Sequence, residues 1–401
     1  DHIDPMYHTA ATGRPSRNLD SFMMSADIIK RLYSHSSKGS DICIVEGVRG
    51  LFEGASGTSD AGSTAEIAKM LDLPVILVVN ARSLTRSAAA IVNGFRTFDP
   101  NIKIAGVIMN NISGKQHEQK IRDAMSRYSD VEILGMIRRD PSRTVGETKK
   151  GLVGPENENL CKMKEMAEDL DIDRIVDAMY DVPDMPSAPL FRRRPSQGIR
   201  AAVAMDDSFC FHYHDNIECM KCSGIEVVTF KPTEGEPLPP ADIYYLGGGY
   251  QEAYAERLSL NGDFLEGIKN ASEEGKVVLG ECGGTAALCE EMIVSGKRYR
   301  MAGIFDAEAE MSGSRHGPSY VTGCGTPANP FFGGIPIRAH EFHYSELRIN
   351  RPYGLGYELS RGTGISGGKD GLVVKKTLCT MMYQHALSVD DWSGRILLAV
   401  D

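Results

Sequence analysis

The residues best suited to chemistry in this chain are Glu281-Cys282-Gly283-Gly284, which follow the β-type run 275–279 and lead into a small apolar helix. A cysteine on a sharp strand-to-helix turn stands at the end of its sheet, and two glycines behind it leave backbone N–H groups free to receive an oxyanion. The helix N-terminus that follows favours thiolate over thiol. This is a nucleophile elbow with Cys in place of Ser, set against the plainer alternative of a small buried core cysteine. Two further elements fall at strand ends. Leu246-Gly247-Gly248-Gly249-Tyr250 is a glycine loop whose N–H groups suit part of an oxyanion hole. Met382-Tyr383-Gln384-His385 brings a late histidine to where a base belongs. Cys282 as nucleophile and His385 as base form a pair adjacent in space rather than in sequence.

Such groups need strands and helices to carry them, and the chain alternates the two from end to end. In the first half, 41–46 reads as a buried strand and 66–71 as a helix. Strand 74–80, helix 83–98 with Ser83 or Thr85 as cap, strand 103–110, helix 117–128 and strand 132–136 follow. Pro183, Pro186, Pro189 and Pro195, with the basic run Arg192–Arg194, mark a linker. Beyond it come strand 200–205, helix 215–223, strands 226–230 and 243–246, helix 264–274 and the strand before Cys282. A more antiparallel part runs through 339–347 and 377–385 to a terminal strand 395–400. The expectation is α/β: two doubly wound domains, 1–180 and 199–401, joined by 181–198. Open sheets of this kind bind ligands at the carboxyl ends of their strands.

Composition excludes several classes. A net charge of -10 and a pI near 5.6, with one short basic run, argue against a nucleic-acid partner. No apolar run is long enough to span a bilayer, so no membrane partner is expected. Nine cysteines, an odd number at irregular spacing, suit a reducing cytoplasm better than a disulfide framework. Cys219 and Cys222 have C-x-x-C spacing, but no second pair completes a zinc site. His340 and His343 point to opposite faces of one strand, which argues against a shared metal.

The first domain carries a second kind of chemistry. Val45-Glu46-Gly47-Val48-Arg49-Gly50 places an acid at a strand end, where a carboxylate can hold Mg²⁺ near phosphates. Asp4, Arg14, Ser16, Arg17, Asn18 and Asp20 crowd into one short polar stretch, more than helix capping requires.

These stretches together resemble a known family. The glycine loop, the Glu-Cys-Gly-Gly elbow and the late Tyr-x-His are similar to a triad-type glutamine amidotransferase domain of the cobyric acid synthase branch. Asp206–Asn216 and Ala339–Ser345 match two of its other signatures. The first half resembles the amidoligase domain of a,c-diamide synthases, itself like dethiobiotin synthetase and of the P-loop class. The resemblance covers nearly the whole chain and points to the synthases that amidate cobyrinate or nickel sirohydrochlorin. It implies that Cys282 attacks the glutamine amide, that His385 relays the proton, and that Gly249 and Gly283 supply oxyanion N–H groups. It implies ATP as co-substrate, with Asp4 and Glu46 toward ATP and Mg²⁺. Arg14, Ser16, Asn18 and Arg49 would face a tetrapyrrole polycarboxylate. A homodimer is allowed.

The chain also departs from that pattern. Triad relatives carry Glu two residues after the histidine, and here that position is Leu387, so the group that orients His385 is unnamed. A P-loop needs G-x-x-x-x-G-K-[ST], and no Gly-Lys-Ser or Gly-Lys-Thr occurs. In the family that loop precedes Ile3-Asp4-Pro5, which implies a truncated sequence rather than an evolved loss. Lys150-Gly151-Leu152 and Arg49 differ from corrin-forming relatives, and the extra cation leans toward nickel sirohydrochlorin. Two other readings stay open: a non-catalytic tetrapyrrole-binding remnant, and a stand-alone Cys-His glutaminase or hydrolase.

Overall fold

In the computed structural model the alternating runs fold into two α/β units. The structure describes residues 2–148, 151–152, 154–180, 188–311 and 316–400. The first unit gathers Ile3–Ser21 and Ile29–Ala188, and the second gathers His2, Phe22–Ile28 and Pro189–Asp401. Part of the expected linker, 181–187, and Lys150 lie outside the described residues. No helix among the described residues is long and apolar enough to cross a membrane.

The first unit is built on three parallel strands in the order Val75–Asn80, Ile104–Ile112, Ile133–Arg138. Helices Thr64–Leu71, Arg86–Phe98 and Lys115–Tyr128 accompany them. Alternate strand residues such as Leu77, Val79, Val107 and Met109 pack with Ala88, Val92, Ile121 and Met125. Ser63 caps its helix by accepting the Glu66 N–H at 3.1 Å. Thr85 holds the N-cap position of the next helix without a side-chain hydrogen bond.

One expectation fails here. Residues 41–46 form no strand, and Ile44 is 84% exposed. Apolar, β-branched composition marks a segment that could pair, but a strand exists only through a ladder. Among the described residues no neighbour supplies one to 41–46.

The second unit holds a ten-stranded sheet. Its parallel half runs Thr377–Thr380, Val277–Glu281, Ile243–Leu246, Arg200–Ala204, Glu226–Phe230. Antiparallel strands, among them Gly354–Arg361, His316–Gly325 and Pro336–His343, extend it on the other side and end at Met382–Tyr383. The central strands are apolar on both faces, as covered parallel strands must be. Ala202, Tyr244, Leu246 and Val278 join one core cluster, while Val203, Ile243, Tyr245, Val277 and Leu279 join the other. Residues 395–400, expected as a terminal strand, belong instead to the helix Trp392–Leu397 and the turn after it. Trp392, Ile396 and Leu397 are buried at helical spacing, and Asp391 Oδ2 takes the Arg194 guanidinium at 2.6 Å.

Candidate active site

The elbow, the glycine loop and the histidine segment each lie at the carboxyl end of a parallel strand. Cys282 follows Val277–Glu281 directly, the glycine loop follows Ile243–Leu246, and the segment leading to His385 follows Thr377–Thr380. Cys282 has φ 50° and ψ -107°. A residue with a Cβ enters that region at a cost of about 1–3 kcal/mol, so its surroundings must hold it there. Its N–H donates to the Thr380 carbonyl at 2.7 Å and its own carbonyl accepts the Thr285 N–H at 3.0 Å. Thr380 is fixed in turn by buried Asp370, which accepts the Thr380 hydroxyl at 2.6 Å and the Met381 N–H at 3.1 Å. The turn is thereby clamped from a neighbouring strand.

The glycines explain how the elbow and the loop meet. A Cβ on Gly284 would lie 2.1 Å from the Leu246 carbonyl oxygen, and one on Gly249 would lie 2.0 Å from that of Ser208. Both obstacles are backbone, so only glycine permits the approach. Gly248 is approached by a side chain instead: a Cβ there would lie 2.0 Å from the Tyr383 hydroxyl. Burial first, and then neighbouring Cys282, push the Tyr383 hydroxyl far above the usual phenol range, so it stays a donor to the sulfur. Cys282 is buried, and its Sγ faces the Phe342 carbonyl at 3.7 Å.

His385 is completely buried. Its Nε2 lies 3.2 Å from Asp215 Oδ2, and its Nδ1 accepts the Leu387 N–H at 3.1 Å. Facing an acceptor at Nε2 and a donor at Nδ1, the neutral ring carries its proton on Nε2 and its lone pair on Nδ1. Asp215 stands in the first turn of the helix His214–Cys222, and the next residue braces the same segment: Asn216 Nδ2 donates to the Gln384 carbonyl at 2.8 Å, and Asn216 Oδ1 accepts the Ala386 N–H at 2.7 Å. The position two residues after the histidine, Leu387, thus contributes a backbone N–H. The carboxylate comes from 170 residues earlier.

Glu281 is a second buried acid that sequence reasoning passed over. Its Oε1 accepts the Gln384 N–H at 3.0 Å and its Oε2 the Tyr245 hydroxyl at 2.7 Å. Burial pushes its carboxyl up to about 7, with those two hydrogen bonds drawing it partly back. A folded pKa above the unfolded one means that the folded chain keeps a proton which the unfolded chain releases. Stability from this group is therefore full below the unfolded value and is lost as pH rises toward 7, by on the order of 3 kcal/mol. Glu281→Gln removes the linkage. Between about pH 5 and pH 8 the thermal midpoint of the variant should rise relative to wild type, and a constant difference would contradict the assignment.

On the strand Pro336–His343, Glu341 and His343 form a buried pair at 3.1 Å. Burial would raise Glu341, yet the His343 hydrogen bond and the Thr363 and Gly364 N–H groups hold it below its ordinary range. His340 lies on the opposite face. Cys219 meets the Ser393 hydroxyl at 3.1 Å.

The first unit brings part of its expected set together around His8, which the sequence reading did not single out. His8 Nε2 lies 2.7 Å from Glu46 Oε2, and Ser16 Oγ lies 3.4 Å from His8 Nδ1. The Glu46 hydrogen bond raises the His8 pKa. Burial raises that of Asp4, and nearby Glu46 adds to the shift. Glu46 itself stands in an exposed stretch, not at the end of a buried strand. Arg14 is turned to the Lys38 and Gly39 carbonyls at 2.9 and 3.4 Å. Arg49 is exposed with φ 68°, and Asn18 is half-buried. Among the described residues no group of three His, Cys, Asp or Glu side chains is placed to hold a metal ion.

Comparison with known proteins adds the following. Residues 200–391 match the family model of the CobB/CobQ-like glutamine amidotransferase domain, and residues 10–144 match that of an AAA domain. The chain is 38% identical to the cobyrinate a,c-diamide synthase of Methanosarcina acetivorans, over 100% of this chain and 87% of that one. It is 41% identical to the protein of that name from Methanocaldococcus jannaschii, over 97% and 88%. Among solved structures, PurLQS from Thermotoga maritima aligns with a TM-score of 0.38 at 15% identity, over 50% of this chain and 97% of that one.

Proposed function

Because the chain belongs to the cobyrinate a,c-diamide synthase family, we propose that it takes ammonia from glutamine and, with ATP, amidates the a and c carboxylates of cobyrinate. The observation that carries this reading is the strained, clamped Cys282 in one unit with a completely buried His385–Asp215 pair.

In this reading the Cys282 proton passes to His385 Nδ1, whose lone pair turns from the Leu387 N–H to the thiol, while sulfur bonds to the amide carbon of glutamine. The carbonyl oxygen becomes anionic and meets the N–H groups of Gly249 and Gly283. Asp215, facing the Nε2–H, stabilises the imidazolium. Nδ1 then returns its proton to the leaving nitrogen, the C–N bond breaks, and ammonia departs. Water hydrolyses the remaining thioester to glutamate, with His385 as base again.

In the ligase half, ATP phosphorylates a carboxylate of the macrocycle, and ammonia displaces phosphate to leave the amide. Asp4 and Glu46 carry the oxygen donors that Mg²⁺ prefers and would hold the ion once Glu46 Oε2 is released from His8 Nε2, 2.7 Å away. Bound there, Mg²⁺ would neutralise charge on the transferring phosphate. Ser16, Asn18 and exposed Arg49 would meet the polycarboxylate, whereas Arg14 is engaged with backbone carbonyls. The relatives' name favours cobyrinate over nickel sirohydrochlorin. A cytoplasmic setting is supported by nine cysteines that are all free thiols.

In the test, an enzyme carrying the P-loop that this sequence lacks receives glutamine labelled at its amide nitrogen, Mg-ATP and either cobyrinic acid or nickel sirohydrochlorin, and the macrocycle is followed by mass spectrometry. Two labelled amides on cobyrinic acid, dependent on ATP, are expected. Glutamate release with no amide on either macrocycle would leave a glutaminase and refute the ligase reading.

A further inference from the structure

We propose that Glu281 is a positioning residue: its carboxylate ties the nucleophile strand to the His385 segment at the point where backbone pairing between them ends. The proposal rests on the Cys282–His385 reading above. The parallel ladder between Val277–Glu281 and Thr377–Thr380 stops at the pair Thr380 and Glu281. Beyond it the chain leaves for Met382–Tyr383, which pairs with Pro336–His343 instead. From there on, no main-chain ladder of Val277–Glu281 reaches the histidine segment. The Glu281 side chain reaches it, through the 3.0 Å bond from the Gln384 N–H across 103 residues.

That bond is one link in a closed ring. Glu281 accepts from the Tyr245 hydroxyl, and Tyr245 lies 3.3 Å from Asn216 Nδ2. Asn216 accepts from Ala386 and donates to the Gln384 carbonyl, while Gln384 Nε2 donates to the Tyr357 hydroxyl at 2.8 Å. The backbone on both sides of His385 is thus held at three points, two from the helix His214–Cys222 and one from the strand that ends in the nucleophile. An acid in this place is costly to fold, as its upward pKa shift shows. Only its reach to both donors recommends it, and a closed, buried network fixes a single geometry.

Reach and charge can be separated by two variants of the full chain. Glu281→Gln cannot ionise but keeps a carbonyl that can accept the Gln384 N–H. Glu281→Asp keeps an ionisable acid but draws the oxygens back by one methylene. Glutamate release gives kcat and KM for glutamine, and iodoacetamide alkylation of Cys282 reports on the thiol without glutamine. Glu281→Asp should lose about 10- to 100-fold in kcat with little change in KM, and its alkylation should slow, because a displaced base no longer serves the sulfur. Glu281→Gln should retain most of both. An aspartate variant equal to wild type, or a glutamine variant as impaired as the aspartate one, would overturn the proposal. If wild type released no glutamate, the reading beneath it would fall, and the alkylation rates would still judge Glu281.

Discussion

Cys282→Ala is expected to abolish glutamate release, with a fall in kcat of about 10⁴- to 10⁶-fold, while Tm changes little. The size follows from what is removed. Without sulfur there is no bond to the amide carbon and no thioester, and the oxyanion N–H groups alone retain only a residue of the rate. The fold should tolerate the change, because the turn is held by backbone bonds to Thr380 and Thr285 that alanine keeps. ATP-dependent amidation should survive when free ammonia replaces glutamine, since the ligase half does not use the thiol. Loss of amidation with ammonia as well would mean that Cys282 serves the fold.

The second large effect is expected at Asp215. Asp215→Asn keeps a carbonyl able to accept the His385 Nε2–H but removes the charge that stabilises the imidazolium. kcat for glutamine hydrolysis should fall by roughly 10²- to 10⁴-fold with KM nearly unchanged. Asp215→Ala should be no better, and it leaves a buried N–H without its acceptor. Kinetic assay across a glutamine series decides the matter. A rise in KM at constant kcat would place Asp215 in substrate binding and contradict its role behind His385.

What could be read from the sequence was whatever is local. Cys282 and its glycines declare themselves within five residues, because a strand, a tight turn and a helix start each have a local signature. The glycine loop is legible for the same reason, and the structure brings it against the elbow. Asp215 was not legible as His385's partner. An acid in the first turn of a helix already has a local explanation in the helix dipole, and nothing within reach along the chain points to a histidine 170 residues away. Glu281 was hidden differently, since at a strand end it reads as the last residue of an element.

The two misread strands teach the complementary lesson. Residues 41–46 have strand composition but no ladder, and 395–400 have an aliphatic run that a buried tryptophan at Trp392 organises as a helix. Composition says what a segment can become. Pairing and packing, which are tertiary, choose.

The most direct test of the central claim is covalent. A glutamine analogue bearing a diazoketone, incubated with the full chain and followed by peptide mass mapping, should leave one adduct. That adduct should sit on Cys282, form more slowly in Asp215→Asn, and be blocked by excess glutamine. Labelling of another of the nine cysteines in its place, or an adduct on Cys282 that glutamine does not prevent, would contradict the account.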